Sequence, residues 1–173
     1  MSRSSYWGTA KDSAMGKDVY LSKLSGTEFI DYRRLVIREY AEESAAAGRI
    51  AHDGALEWAA KETDRLLPNG NDTKDAYLFK IVSHSLPGLV LGYLWSARDH
   101  NNPGNAFIFD VQVFPAYRGK GIGTAALRQL DVFLKELRYR AVGLHVYATN
   151  EQALALYSKC GYRPISHVLR KEL

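Results

Sequence analysis

The order of periodic segments along this chain predicts an α/β (α+β) fold: one domain on a mixed, mostly antiparallel sheet flanked by helices. Three observations carry that expectation. Segments with two-residue alternation and segments with apolar residues three or four apart succeed one another in the order βααβββαβαβ. Three of the strand-like runs follow directly on each other, without an intervening helix. No repeat or low-complexity linker divides the 173 residues, and a single domain of that length buries roughly 70% of its unfolded surface.

Val19 to Leu24 alternates apolar and polar residues, as a first strand does. Ser25 or Thr27 can cap a helix that reaches about Ala47 and closes at Gly48, with Phe29, Tyr32, Val36 and Tyr40 as its inward stripe. Asp53 is placed to cap a second helix carrying Leu56, Ala59 or Ala60, and Leu66 or Leu67; Pro68-Asn69-Gly70 stops it. Strands are expected over about Ala76–Ser83 and Leu89–Ala97, joined by a turn at Pro87-Gly88, and then over Phe107–Phe114. A helix over about Ile122–Leu137 has Leu127, Leu130 and Leu134 on one face. Val142–Tyr147 reads as a strand, Glu151–Lys159 as a short helix ended by Gly161, and Ile165–Leu169 as a last strand. Residues 1–17 show neither periodicity nor an apolar cluster and read as a flexible N-terminal arm, leaving 18–173 as the domain.

Composition narrows the class. Hydrophobic residues at 46% and charged residues at 24% are the balance of a soluble globular protein. A net charge of +4 fits a small anionic ligand and is too small to demand nucleic acid. No apolar segment is long enough to cross a bilayer, and residues 1–20 lack a signal-peptide core, so no membrane association is expected. The single cysteine, Cys160, cannot form an internal disulfide and points to a reducing compartment. The expectation is a cytoplasmic monomer or homodimer. The five histidines show no metal-ligand spacing, so no metal is expected.

The stretch YRGKGIGTAA, residues 117–126, carries the most chemistry. Gly119, Gly121 and Gly123 alternate there, which lets successive backbone N–H groups converge at the opening of a helix whose dipole adds positive potential. Such a corner suits a phosphate, and Arg118 and Lys120 bring fixed charge to the same ligand. It is not a P-loop, because no glycine precedes a Gly-Lys-Ser/Thr run at the required spacing. The dinucleotide fingerprint fits poorly too: Pro115 to Arg118 separate the strand from the glycines, and Ala141-Val142-Gly143-Leu144 offers no acid where a ribose would need one.

With these residues in place, the chain resembles the GNAT superfamily of acetyl-CoA-dependent N-acetyltransferases. Arg118-Gly119-Lys120-Gly121-Ile122-Gly123 fits the family's pyrophosphate motif, Q/R-x-x-G-x-G/A, and FDVQVFPAYRGKGIG looks like its fourth strand and the following turn. LHVYATNEQALALYSKCGYRPI matches the C-terminal pattern of strand, Asn, Ala, Tyr and Gly-aromatic. The order of elements agrees from residue 18 onward. More loosely, LLPNGNDT and GYLW resemble a bacterial subgroup.

The resemblance implies the acyl-CoA N-acyltransferase fold and transfer of an acetyl group from acetyl-CoA, as co-substrate, to a primary amine by direct attack. It implies that backbone N–H groups from Gly119 through Lys120, Gly121, Ile122 and Gly123 to Thr124 bind the coenzyme A pyrophosphate, with Arg118 beside them. The main chain of Val111, Gln112 and Val113 would pair with the pantetheine arm as an added strand, and the Val111 N–H would stabilise charge developing on the thioester oxygen. Tyr157 would protonate the departing thiolate; its other reading is a packed tyrosine with its hydroxyl at the surface. Asn150 reads both as an N-cap for the helix at Glu151 and as a pantetheine contact. Many relatives carry a carboxylate one position before Asp110, where this chain has Phe109. Asp110 is then a candidate base or acceptor contact, or a structural acid. Glu39, Tyr40, Glu42 and Glu43 fall on the helix that forms the acceptor wall in relatives, although EYAEES also suits a solvated face. The acceptor, a small molecule or a peptide amine, is left open. A second class, a coenzyme A-binding sensor without catalysis, is left open by Phe109.

Overall fold

The computed structural model describes residues 19–169 and 171, so the reading of residues 1–17 as an arm lies outside them. Five strands form one sheet in the order β1-β2-β3-β4-β5: β1 (Val19–Lys23), β2 (Ala76–Ser83), β3 (Val90–Arg98), β4 (Ala106–Val113) and β5 (Val142–Leu144). All neighbours are antiparallel except β4 and β5, which run parallel. Helices α1 (Gly26–Ala46) and α2 (Ala55–Leu66) cover one face, and α3 (Ile122–Glu136) covers the other, with α4 (Glu151–Lys159) beside it.

The alternation read in β2 divides its side chains between two cores. Leu78 packs with Leu24, Tyr32, Val36 and Trp95 toward α1, while Phe79 and Ile81 pack toward α3. From α3, Ile122, Leu127, Leu130 and Leu134 are all at most 3% exposed. At about 1.5–3 kcal/mol per buried aliphatic side chain, these four contribute roughly 6–12 kcal/mol before chain entropy is counted. That matches the whole net stability of an ordinary domain, so α3 cannot detach without unfolding the sheet.

Helix α1 begins with a capping box. The Ser25 hydroxyl accepts from the Glu28 N–H at 3.3 Å, and the Glu28 carboxylate accepts from the Ser25 N–H at 2.8 Å. Glu28 also meets Lys80 of β2, and that contact, with the Ser25 bonds, holds its carboxyl down at about 2. The helix closes where Gly48 turns left-handed (φ 65°) and the Arg49 N–H returns to the Ser44 carbonyl at 2.9 Å.

Several expected boundaries shift. Asp53 does not cap α2; Gly54, at φ 85°, makes the turn into the helix without a side-chain cap. The expected strand over Val142–Tyr147 stops at Leu144, because β4 offers it only Ala106, Phe107 and Ile108 as partners. The expected last strand, Ile165–Leu169, is not formed. A strand needs a neighbour's ladder, and with β5 only three residues long this segment finds none; Ile165, Val168 and Leu169 are each more than 90% exposed. The described order is therefore βααβββαβα, within the mixed α/β architecture expected.

Gly92 fixes how closely β3 approaches β4. A Cβ added there would stand 1.9 Å from the Gln112 carbonyl oxygen, which is backbone and cannot swing aside. Gly92→Ala is expected to force the two strands apart and cost about 2–3 kcal/mol, as overpacking of a well-filled site does. For a chain of this size that lowers the thermal midpoint by roughly 5–10 °C, measurable by calorimetry. An unchanged midpoint would mean that the strands are less tightly set.

Candidate active site

The site is built around an irregularity in β4. Trp95 of β3 pairs with Asp110, yet the next residue, Ser96, pairs with Ile108, leaving Phe109 as an extra residue. Such a bulge turns two consecutive side chains toward one face and bends the strand. Phe109 accordingly stacks on Trp95 at 4.7 Å, and Asp110 beside it reaches α1. Beyond the bulge β4 parts from β5, whose ladder ends at Leu144. Phe114 donates to the Leu91 carbonyl, so by alternation the main chain of Gln112 faces β3 while that of Val111 and Val113 faces the gap. The Val113 carbonyl there accepts from Arg118 Nε at 2.9 Å.

A cavity of about 710 Å³ adjoins this unpaired edge. Phe109, Asp110 and Val111 line it from β4, Glu39, Tyr40 and Glu43 from α1, and Asn150, Ala153 and Tyr157 from the turn into α4 and α4 itself. Burial raises the Asp110 carboxyl to about 7, and the charges of Glu39 and Glu43 push the same way. The Tyr32 hydroxyl, donating to Asp110 at 3.0 Å, opposes that rise. Tyr32 is itself 1% exposed, and burial together with Asp110 keeps its phenol protonated. Burial also raises Glu39, whose carboxylate accepts from the Gln112 amide. Tyr157 is pushed up to about 12, by burial first and then by Asp110 and Glu43. The result is a near-neutral carboxyl and a firmly protonated phenol facing one cavity.

The glycine corner has the expected form, with its glycines divided in purpose. Gly119 and Gly121 take φ 74° and 81°, and Gly121 is the residue from which α3 starts. The first turn of α3 there presents N–H groups without intrahelical partners, as an anion site requires. Gly123 does something else. It is buried in the helix, and a Cβ on it would press Leu156 of α4 at 3.0 Å, so its role is to let α4 pack close.

Of the residues singled out in the sequence, the fold brings Asp110, Val111, Asn150 and Tyr157 to the cavity together with Glu39, Tyr40 and Glu43; Glu42 does not line it. Asn150 caps α4, its side-chain oxygen accepting from the Ala153 N–H at 3.1 Å. Thr124 hydrogen-bonds the Cys160 thiol. Gln112 stands apart: its side chain is buried against Glu39 and its main chain faces β3. His145 lines the cavity and packs edge-on against Tyr147 at 4.9 Å; burial and then Arg49 lower its pKa. Sequence reasoning missed Tyr32 as the partner of Asp110 and Arg49 as a cavity residue. The first was visible only as an apolar-stripe position; the second lies just after the helix-closing glycine.

Asp110 makes stability depend on pH. Its pKa is higher folded (about 7) than the ordinary 3.8, so between those values the folded state holds a proton that the unfolded chain has lost. Stability contributed at this site therefore falls as pH rises from about 4 to about 7. Asp110→Asn, which keeps an acceptor for Tyr32, is expected to raise the thermal midpoint at pH 8 and to leave it unchanged near pH 4. Equal midpoints at pH 8 would show that the carboxylate is not held at a cost.

Comparison with known proteins agrees with this geometry. Residues 49–162 match the acetyltransferase (GNAT) family. The chain is 32% identical over 154 residues to YdgE, an uncharacterized N-acetyltransferase of Bacillus subtilis (strain 168), covering 88% of this chain and 97% of the relative. It is 30% identical over 156 residues to YycN, an uncharacterized N-acetyltransferase of the same organism, covering 90% and 99%. The crystal structure of YycN superposes with a TM-score of 0.83, over 90% of this chain and 98% of that one. A mixed sheet with a parallel β4–β5 pair, a glycine corner opening α3 and this extent of similarity together place the chain in the GNAT acetyltransferase family.

Proposed function

We propose that the chain transfers the acetyl group of acetyl-CoA to a primary amine by direct attack, with Asp110 as base and Tyr157 as acid. The observation that carries this reading is that both groups face a single cavity adjoining the unpaired edge of β4. Acetyl-CoA suits the residues present: Gly119 leaves open space before α3 for a pyrophosphate, Gly121 takes the left-handed turn there, and Val111 and Val113 leave main-chain groups for an extended arm. Main-chain groups of Lys120, Ile122, Gly123 and Thr124 would contribute to the same hold, with Arg118 and Asn150 beside it; the Arg118, Thr124 and Asn150 side chains already have partners within the protein.

Acetyl-CoA supplies an activated thioester when bound. The Val111 N–H would donate to the thioester oxygen, where charge develops. Asp110, about half ionised near neutral pH, accepts the proton that the amine sheds as its nitrogen binds carbon. The Tyr157 hydroxyl hands a proton to the departing sulfur. A phenol at about 12 is a weak acid for a thiol of about 8.5; the gap of about 3.5 costs roughly 5 kcal/mol, so this transfer comes late, as the carbon–sulfur bond breaks.

Tyr157→Phe keeps the ring and its packing against Tyr162. It is expected to lower kcat by about 10²-fold, the lower end of what a positioned acid contributes, with coenzyme A affinity retained. A rise in kcat through pH 7 is expected of wild type, and Asp110→Asn is expected to remove it. Thiol release from acetyl-CoA with a panel of amines measures both. Normal turnover in Tyr157→Phe across neutral pH would overturn the acid, and a bend near pH 7 surviving in Asp110→Asn would overturn the base. Absence of turnover with every amine, alongside intact coenzyme A binding, would leave a sensor that binds without catalysis.

A further inference from the structure

We infer that the amine acceptor also carries a carboxylate, and that Arg49 grips it. This rests on the acceptor site proposed above and names the class of molecule that fills it. The cavity has two poles. At one, Asp110 lies with Glu39 and Glu43, beside Tyr157. An ammonium is at home there, and an anion would be repelled.

The other pole is basic. Arg49 and Arg65 both line the cavity and share the charge of Glu62; Asp99 lines it too but pairs with neither among the described residues. Arg65 takes Glu62 in an ion pair at 2.8 Å. Arg49 has no carboxylate within ion-pair distance among the described residues. Its contacts are the Tyr40 hydroxyl at 3.5 Å, the Tyr147 hydroxyl and the Trp58 ring, 5.4 Å from the guanidinium carbon. A guanidinium has five N–H donors in a planar fork suited to a carboxylate, and two phenols and a ring face leave part of that fork unspent. The same neighbours orient it. Tyr147 bonds the buried Ser44 hydroxyl at 3.2 Å, Tyr40 packs tilted against Trp58 at 4.9 Å, and the Arg49 backbone is pinned by the turn that closes α1. A rigidly held guanidinium with spare donors at one end, and a nest of carboxylates at the reacting end, match a zwitterion such as a free amino acid or short peptide. A polyamine would place a second cation against Arg49.

Paired acceptors test this: lysine against lysinamide, and a dipeptide against its C-terminal amide. In wild type, loss of the carboxylate is expected to raise KM at least 10-fold with little change in kcat. Arg49→Gln is expected to abolish that preference by weakening the acid alone, and Arg49→Lys to restore part of it. A purely structural Arg49 would weaken acid and amide alike. Amides or spermidine acetylated as well as the acids by wild type would overturn the inference while leaving the transferase reading intact. Calorimetric binding of the same pairs separates the two readings. Binding of the acids that depends on Arg49, without thiol release, would uphold the carboxylate grip and overturn the catalysis; equal binding of acids and amides would overturn the grip.

Discussion

The site depends on a parting of two strands. β4 and β5 share only three residue pairs before they diverge, and the extra residue at Phe109 is what bends β4 away. Each backbone N–H and C=O of a continuous parallel ladder would have been satisfied within the sheet. Here the groups of Val111 and Val113 are left facing the gap, Val111 lining the cavity and Arg118 closing the Val113 carbonyl. The neighbours on the other side make that arrangement affordable in structure: Gly92 lets β3 hold β4 closely, and α3 packs beneath the exposed edge. An unpaired strand edge is ordinarily a liability; inside a cleft it becomes a template for an extended ligand.

The bulge also settles where the carboxylate stands. In a regular strand Phe109 and Asp110 would point to opposite faces. With the bulge both face α1, so Phe109 stacks on Trp95 and Asp110 reaches Tyr32. Desolvation then raises the carboxyl, and two further acids from α1, one helical turn apart, raise it more. Those acids disfavour a compact native state at high pH, yet they make the cavity a place for an ammonium. Tyr157 is raised by burial first and then by Asp110 and Glu43, so the phenol and the carboxyl are tuned together and not independently.

A similar economy holds at the glycine corner. Gly119 and Gly121 serve the backbone path, while Gly123 serves the contact between α3 and α4. Packing α4 closely brings Tyr157 into the cavity, and the Asn150 cap sets where that helix begins. The glycine corner and the helix that carries Tyr157 are thus joined through one missing side chain.

Much of this was legible in the sequence by itself. Periodicity fixed the helices and four of the strands, because the spacing of apolar residues follows directly from helical and pleated geometry. A cap at Ser25 or Thr27, the closing Gly48 and the alternation of Gly119, Gly121 and Gly123 are local signals that need no partner elsewhere in the chain; that Ser25 is the one, boxed with Glu28, is seen in the structure. What tertiary structure decided were the properties that belong to pairs of segments. Whether residues 145–147 and 165–169 form strands depends on a neighbour's ladder, and none reaches them. Whether Asp110 shares a face with Phe109 depends on the register against β3, and its raised pKa depends on burial first and then on residues 39 and 43 arriving from a distant helix. Arg49 and Tyr32 gained their places in the same way. Periodicity records which face of a segment is apolar, but the bulge, the gap and the cavity are relations between segments, and only the packed chain specifies them.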